Sequence, residues 1–288
     1  MDISETNRPL LSIVTINKNN AGGVKRTIAS LLPLKHDPAI EYLFIDGLST
    51  DESILLASAF YQTTRLVSEP DGGIYQAMNK GLALASGDWV VWLNSGDEWI
   101  ADCWPALRNF LQTTQARILC AAAEIVDHRT GACINIRGAD PSHLPWGMVN
   151  HSSTIFRRHA LLHYNGYNET YRIAADRELL VRLHLNREPI EYCDRCLSRF
   201  WLGGLSDQEL LLRAQENLRL DLQAGLITPS AYYYGRLRHF LFYCLARPGI
   251  ITLRGLLKRV GIELPPLGSY AGLLGELRRD AFAGKNQR

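Results

Sequence analysis

Short apolar runs alternate with polar loops over the first hundred residues, and the runs have the length of strands. Leu11 to Ile16 (LSIVTI) is β-branched and apolar throughout, the pattern of a strand buried on both faces of a parallel sheet. A polar loop, Asn17 to Gly23 (NKNNAGG), follows, and Val24, Ile28 and Leu31 then fall at helical spacing. Tyr42 to Ile45 reads as a second strand closed by Asp46, and Ser49-Thr50-Asp51-Glu52 has the S-x-x-E form of a capping box that opens a helix. Arg65 to Val67 is a third, short strand. Ile74, Ala77, Met78, Gly81, Leu82 and Ala85 recur at steps of three and four, marking the buried face of another helix, and Trp89 to Leu93 (WVVWL) is the fourth strand. This repetition predicts an α/β fold with an open, mostly parallel sheet and helices on its faces. Ligands of such sheets sit beyond the carboxyl ends of the strands, so the chemistry is expected in the polar residues that follow each strand.

Beyond Ala101 the pattern is less regular. Ile118 to Val126 predicts a strand, with Cys133 to Arg137 pairing as a hairpin around His128 to Gly131. His159 to His163 and Ala174 to Leu185 predict helices, and Ile190 to Phe200 a strand. Amphipathic helices broken at Pro229, Pro248 and Pro265 are expected between Asp207 and Phe282.

Composition changes this picture only in the tail. The chain of 288 residues carries a formal net charge of +2, but from Pro229 onward ten Lys or Arg stand against three Asp or Glu. The body is therefore acidic and the tail basic. With Tyr232, Tyr233, Tyr234, Phe240, Phe242 and Tyr243, that tail suits the headgroup region of an anionic membrane, or else a helical cap or dimer contact. An acidic body without a nucleic-acid motif argues against nucleic acid. Met1 to Pro9 lacks the form of a secretory signal, and no apolar stretch approaches the roughly 20 residues of a membrane span. The expected location is cytoplasmic, with peripheral attachment to the inner face of the membrane through the tail. Six scattered cysteines fit reduced thiols; Cys193 and Cys196 form a C-x-x-C pair, but on a predicted strand and without a second pair.

The strongest chemical signal is Trp89 to Trp99 (WVVWLNSGDEW), where a strand delivers Asn94, Ser95 and Gly96 and then Asp97 and Glu98. A single carboxylate at a strand end suits a Mg²⁺ or Mn²⁺ ion that takes its other ligands from a diphosphate and water; alone, it equally suits a capped turn. Glu69 to Tyr75 (EPDGGIY) places an acidic, glycine-rich loop before a helix, where backbone N–H groups favour anions. Asp71 there accepts hydrogen bonds from a ribose or sugar hydroxyl, or caps the helix. Tyr75 and Asn79, four apart and opposite the apolar stripe, are expected to point together into the cleft.

The co-linear order IVTINKNN, FIDGLSTDES and SEPDGGIYQAMNKGLALASGDWVVWLNSGDEW, with HSSTIFRR, YRIAADRELLVRL and FWLGGLS further on, resembles the inverting, GT-A-fold glycosyltransferases of family 2. It is most similar to the bacterial branch of exopolysaccharide, colanic-acid-like and lipopolysaccharide assembly. The resemblance covers about Leu10 to Ser206. It implies a GT-A domain over 1–206, with a nucleotide-sugar half at about 10–100 and an acceptor half at about 101–206, followed by a helical extension over 207–288. It further implies a nucleotide-sugar donor, with UDP as the default base, and a glycan or lipid-linked sugar acceptor.

Residue by residue, Thr15 and Asn17 match the nucleoside pocket, with Asp71, Gly72, Tyr75, Asn79, Asn94 and Ser95 completing the donor side. Asp46 matches an acidic position facing the base or ribose, beside which many relatives carry a second acid where this chain has Gly47. Asp97 matches the final, metal-holding acid of the D-x-D motif; the preceding acid, commonly present in relatives, is Gly96 here. Asp176 matches the catalytic base, although an Asp in the first turn of a helix also complements the helix dipole. His151, Gly203 and Gly204 match positions lining the acceptor or phosphate. A competing expectation, motivated by Gly96, is a non-catalytic nucleotide-sugar-binding scaffold subunit; a nucleotidyltransferase would want a more basic loop after the first strand.

Overall fold

The computed structural model describes residues 8–60, 65–138, 144, 150–202 and 209–245. The chain divides into two compact units, Met1–Asp207 and Gln208–Arg288.

In the first unit, β1 (Leu11–Asn17), β2 (Ile40–Asp46), β3 (Arg65–Ser68) and β4 (Trp89–Trp92) pair in the order β3-β2-β1-β4, all parallel. The connecting helices are α1 (Ala21–Leu31), α2 (Ser53–Phe60) and α3 (Ile74–Leu84). The second half adds β5 (Glu98–Trp99), α4 (Trp104–Thr113), β6 (Ile118–Val126), β7 (Cys133–Arg137), β8 (Thr154–Arg157), α5 (Arg158–His163), α6 (Ala175–Leu185) and β9 (Ile190–Trp201). These strands extend the sheet as β4-β8-β6-β9-β5, with β7 also on β6. Here β8 runs antiparallel to both β4 and β6, and β9 runs parallel to β6. The parallel pattern read from the first hundred residues thus holds for that half, and the pairing becomes mixed beyond it.

Alternation along the strands sorts the core. Leu11, Ile13, Tyr42, Phe44, Trp89 and Val91 face α1, α2 and α4 in one cluster that also holds Trp99 and Trp104. Val14 and Ile45 point the other way, onto α3, where Gly81 lets the helix approach so closely that an added Cβ would lie 2.5 Å from Val14 Cγ1. Fully buried side chains of this kind each contribute about 1.5–3 kcal/mol.

Two elements begin differently from expectation. Asn20 caps α1, its side chain accepting from Gly23 N–H at 3.1 Å, so the helix starts three residues before Val24. The capping box at Ser49 does not form. Ser49 is committed to Asp46, and Asp51 instead accepts from Ser53 N–H at 3.0 Å ahead of α2. Cys193 and Cys196 lie on β9 where its register with β6 shifts, with Asp194 and Arg195 bulged out between them.

The second unit contains α7 (Leu210–Gln223), in which Leu218, Leu220 and Asp221 are buried, and α8 (Pro229–Leu245). No helix among the described residues is long and apolar enough to cross a membrane.

Candidate active site

The register of the parallel strands builds the site. Asn17 of β1 stands beside Asp46 of β2, which stands beside Ser68 of β3, so three polar side chains share one row at the carboxyl ends. The turn after β4 joins the row on the other side of β1, because Ser95 N–H donates to Ile16 O at 3.0 Å.

Asp46 anchors this row rather than projecting from it. It has no exposed surface, and its oxygens accept from Asn17 Nδ2 at 2.8 Å, Ser49 Oγ at 2.6 Å, Ser49 N–H at 2.7 Å and Ser68 Oγ at 2.8 Å. Burial pushes its pKa up, but the bonds from Ser49, Asn17 and Ser68 together outweigh burial and hold it below the ordinary value. The expectation is that it faces the base or ribose; in the structure its carboxylate is engaged by four protein donor groups. Thr15 is also buried. Asn17, in contrast, leaves its buried Oδ1 without a protein donor, as does Asn94. These are two buried acceptors at strand ends, and buried groups of this kind are ordinarily paired.

Beside Asp46, Gly47 leaves a space filled by another residue. A Cβ there would lie 2.5 Å from Asp71 Oδ2 and 3.3 Å from Lys18 Cδ. The half-buried Asp71 also accepts from Gly73 N–H at 3.1 Å through Oδ1, and the exposed Gly72 donates its N–H to Gln76 Oε1. Asp71 thus closes the loop before α3, whose N-cap, Gly73, makes no side-chain capping bond, and places a carboxylate oxygen against Gly47.

The turn after β4 is shaped by α1. Thr27 Oγ1 accepts from Gly96 N–H at 3.0 Å and donates to Asp97 O at 2.7 Å, while Arg26 Nη1 donates to Gly96 O at 3.3 Å. Asn20 Nδ2 donates to Ser95 O at 2.9 Å. Gly96 sits at φ +112°, a conformation that L side chains rarely adopt, so the backbone favours glycine over the acid missing from the D-x-D pattern. Asp97 itself is 7% exposed. Burial pushes its pKa up to about 7, against the pull of Trp201 N–H, the Ser152 hydroxyl and Arg26. A buried carboxylate so weakly compensated fits a hard divalent cation. The described residues contain no group of three or more His, Cys, Asp or Glu suited to a metal ion, so the protein would offer this one carboxylate and the diphosphate the rest.

Asp176 opens α6. Its Oδ1 accepts from Arg177 N–H at 2.7 Å and faces Tyr75 Oη at 3.4 Å. Burial is the main cause that raises its pKa above the ordinary carboxylate value, which favours proton acceptance. Tyr75 and Asn79 do share a face of α3, as their spacing predicts, but that face abuts the segment before α6 rather than an open cleft. Tyr75 is 6% exposed and donates to Ile173 O at 2.6 Å. Asn79 Nδ2 donates to Tyr167 O at 2.9 Å, and its Oδ1 accepts from Tyr167 N–H at 2.8 Å.

His151 lies in a short 3-10 turn, its Nε2 3.0 Å from the Tyr167 hydroxyl and its ring 5.9 Å from that of Trp92. Burial lowers its pKa to about 4, so near neutral pH the imidazole is neutral. Gly203 and Gly204 fall outside the described residues. Arg26, Ser152 and Trp201 were missed as site residues. Arg26 stacks over the Trp201 ring at 3.9 Å and, with Ser152, surrounds Asp97. Trp201 stood within the FWLGGLS motif, whereas nothing near Arg26 in the sequence marks it.

A parallel half joined through one sheet to a half of mixed pairing, with an acid after β4 and another at the start of α6, is the architecture of a GT-A glycosyltransferase. Solved structures with this fold include the mannosyltransferase PcManGT from Pyrobaculum calidifontis in complex with GDP-Man and Mn²⁺ (TM-score 0.60, 15% identity, covering 96% of this chain and 81% of that one). S. aureus TarS 1-349 in complex with UDP-GlcNAc is another (TM-score 0.59, 16% identity, 77% and 69%). Residues 12–178 match the model of Glycosyl transferase family 2, and the chain belongs to that family. It is 31% identical over 196 residues to an uncharacterized glycosyltransferase of Mycobacterium tuberculosis, covering 64% of this chain and 72% of the relative. It is 27% identical over 201 residues to a PGL/p-HBAD biosynthesis glycosyltransferase of Mycobacterium bovis, covering 65% and 77%.

Proposed function

We propose that this glycosyltransferase is inverting and metal-dependent, and moves a sugar from a nucleotide donor, UDP-linked in the first instance, to a glycan or lipid-linked glycan of a bacterial surface polysaccharide. The observation that carries the reading is the pair of acids with raised pKa values, Asp97 after β4 and Asp176 at the start of α6. Asp97 holds Mn²⁺ or Mg²⁺, which supplies charge neutralisation to the departing diphosphate. Asn17, Asn94, Ser95 and the Asp71 loop bind the nucleoside and sugar. Asp176 accepts the proton of the attacking hydroxyl, as displacement with inversion requires. The scaffold alternative is motivated by Gly96, and the positive φ there supplies a conformational reason for a glycine that does not require a decayed site.

Thermal shift with UDP, GDP and dTDP, each with and without Mn²⁺, tests the donor half on wild type and Asp97→Ala. A shift for one nucleotide that needs Mn²⁺ and disappears in the variant is expected. Absence of any shift from folded protein would turn the reading toward the scaffold.

A further inference from the structure

Tyr75 belongs to the helix that begins at the donor loop, yet its hydroxyl ends at the acid on α6. The ring is buried and stacked on Tyr167, with centroids 5.6 Å apart and planes inclined by 25°. Tyr167 is held in turn by the two bonds of its backbone to Asn79, one helical turn beyond Tyr75 on α3. The close approach of Gly166 helps to fix this clamp: at φ +64°, an added Cβ would lie within 2.4 Å of Asn79 Oδ1. Helix α3 therefore fixes the segment leading into α6 at two points.

The Tyr75 hydroxyl has one proton and two acceptors, Ile173 O at 2.6 Å and Asp176 Oδ1 at 3.4 Å. A small rotation of the C–O bond moves the proton from one to the other. We propose that Tyr75 is a positioning residue for Asp176: its hydroxyl turns toward the carboxylate while Asp176 is anionic, and rests on Ile173 O once Asp176 has taken up the acceptor's proton. The inference rests on the reading of Asp176 as base. It also ties the donor loop to the base through a single helix, so a loop displaced at Asp71 to Gly73 carries Tyr75 with it.

The titratable groups facing Asp176 are Tyr75 from α3, Tyr167 from the segment before α6, and Arg177 on its own helix. A bond to the charged form lowers a carboxylate pKa, so removing it raises the value. The test is a ¹³C-carboxyl NMR titration of the full chain, the Asp176 signal being assigned by its loss in Asp176→Asn. In Tyr75→Phe the Asp176 midpoint is expected about 0.5 unit higher than in wild type, the size of one weak hydrogen bond. Tyr167→Phe, which keeps the Tyr75 hydroxyl, should move it less. Replacing Tyr75 by a ring-fluorinated tyrosine, a stronger donor, should move the midpoint down, and this arm stands if Tyr75→Phe does not fold. No shift in either Tyr75 variant, or an equal shift in Tyr167→Phe, overturns the proposal. The base reading is tested separately, by release of nucleoside diphosphate from the UDP- or GDP-sugar that binds best. Wild-type turnover by Asp176→Asn would remove the base assignment and leave the titration result standing.

Discussion

Two glycines show how an absent side chain sets the chemistry of this site. At Gly96 the backbone at φ +112° is one that L side chains rarely adopt, so a glycine and not an acid precedes Asp97 in the turn after β4. At Gly47 the backbone tolerates a side chain but the neighbours do not, since the Asp71 carboxylate occupies the space a Cβ would need. Asp46 is enclosed by its four donors, whereas the half-buried Asp71 beside it accepts only from Gly73 N–H, through Oδ1, among the hydrogen bonds described. The reading of a carboxylate that addresses the sugar donor on this side therefore rests on Asp71. Gly47→Ala is therefore expected to displace Asp71 and weaken nucleotide binding about three- to tenfold, the loss of roughly one hydrogen bond. The half-buried Asp71 has freedom to move aside, so the melting temperature should change little. Calorimetric titration with the nucleotide that binds wild type best checks this. Unchanged affinity would mean that Asp71 does not contact the donor.

At the scale of elements, the turn carrying His151 is a seam between the two halves of the sheet. Its imidazole packs against Trp92 of β4 and bonds the Tyr167 hydroxyl. Burial depresses its pKa from the ordinary 6.5 to about 4, so between those values the unfolded chain binds a proton that the folded chain refuses. Stability contributed by neutral His151 is thus complete above about pH 6.5 and is lost as pH falls toward 4, by on the order of 3 kcal/mol. In His151→Gln, denaturation midpoints measured from pH 7 to pH 4.5 should fall less steeply than in wild type; equal slopes would show that the imidazole is solvated.

The same scale shows what was legible in the sequence. The strands from Leu11 to Trp92 and the spacing along α3 were readable, because buried parallel strands and an amphipathic helix write their period directly into the chain. β8 was not. Four residues, Thr154 to Arg157, are too few for a period, and pairing with β4 and β6 alone makes them a strand. Asp97 stands out in the sequence as an acid after a strand, whereas Asp176, an ordinary first-turn helix acid, is singled out only through the family resemblance. The tasks of Tyr75 and Asn79 were misread because i, i+4 spacing fixes a shared face and says nothing about what packs on it. Arg26 reaches Gly96 O from a helix 70 residues away in sequence, a contact that only the folded chain creates.

For the whole molecule the open matter is how such a site meets its acceptor. The acidic body and basic tail give the chain an electrical polarity, and α8 in the second unit adds a chemical one. Tyr233, Tyr234 and Leu237, at positions i, i+1 and i+4, are 68%, 60% and 55% exposed, which puts three large apolar side chains along one side of the helix. Arg236 lies 5.7 Å from the Tyr232 ring centroid on the same helix. Aromatic rings beside arginines suit the interface of an anionic bilayer, where rings enter the headgroup layer and guanidinium groups meet phosphate. A lipid-linked acceptor would then be presented at the surface to which the enzyme is bound. Flotation of the full chain should recover it with vesicles rich in phosphatidylglycerol and not with phosphatidylcholine alone. Raising salt should reduce recovery, because the charge contribution is screened within about 10 Å at 0.1 M. The double substitution Tyr233→Ser with Leu237→Ser leaves every charge in place, so a fall in recovery would assign the apolar contribution to α8. If wild type and variant float equally, α8 does not enter the bilayer. If neither floats, the membrane reading fails and the acceptor must be delivered by another route.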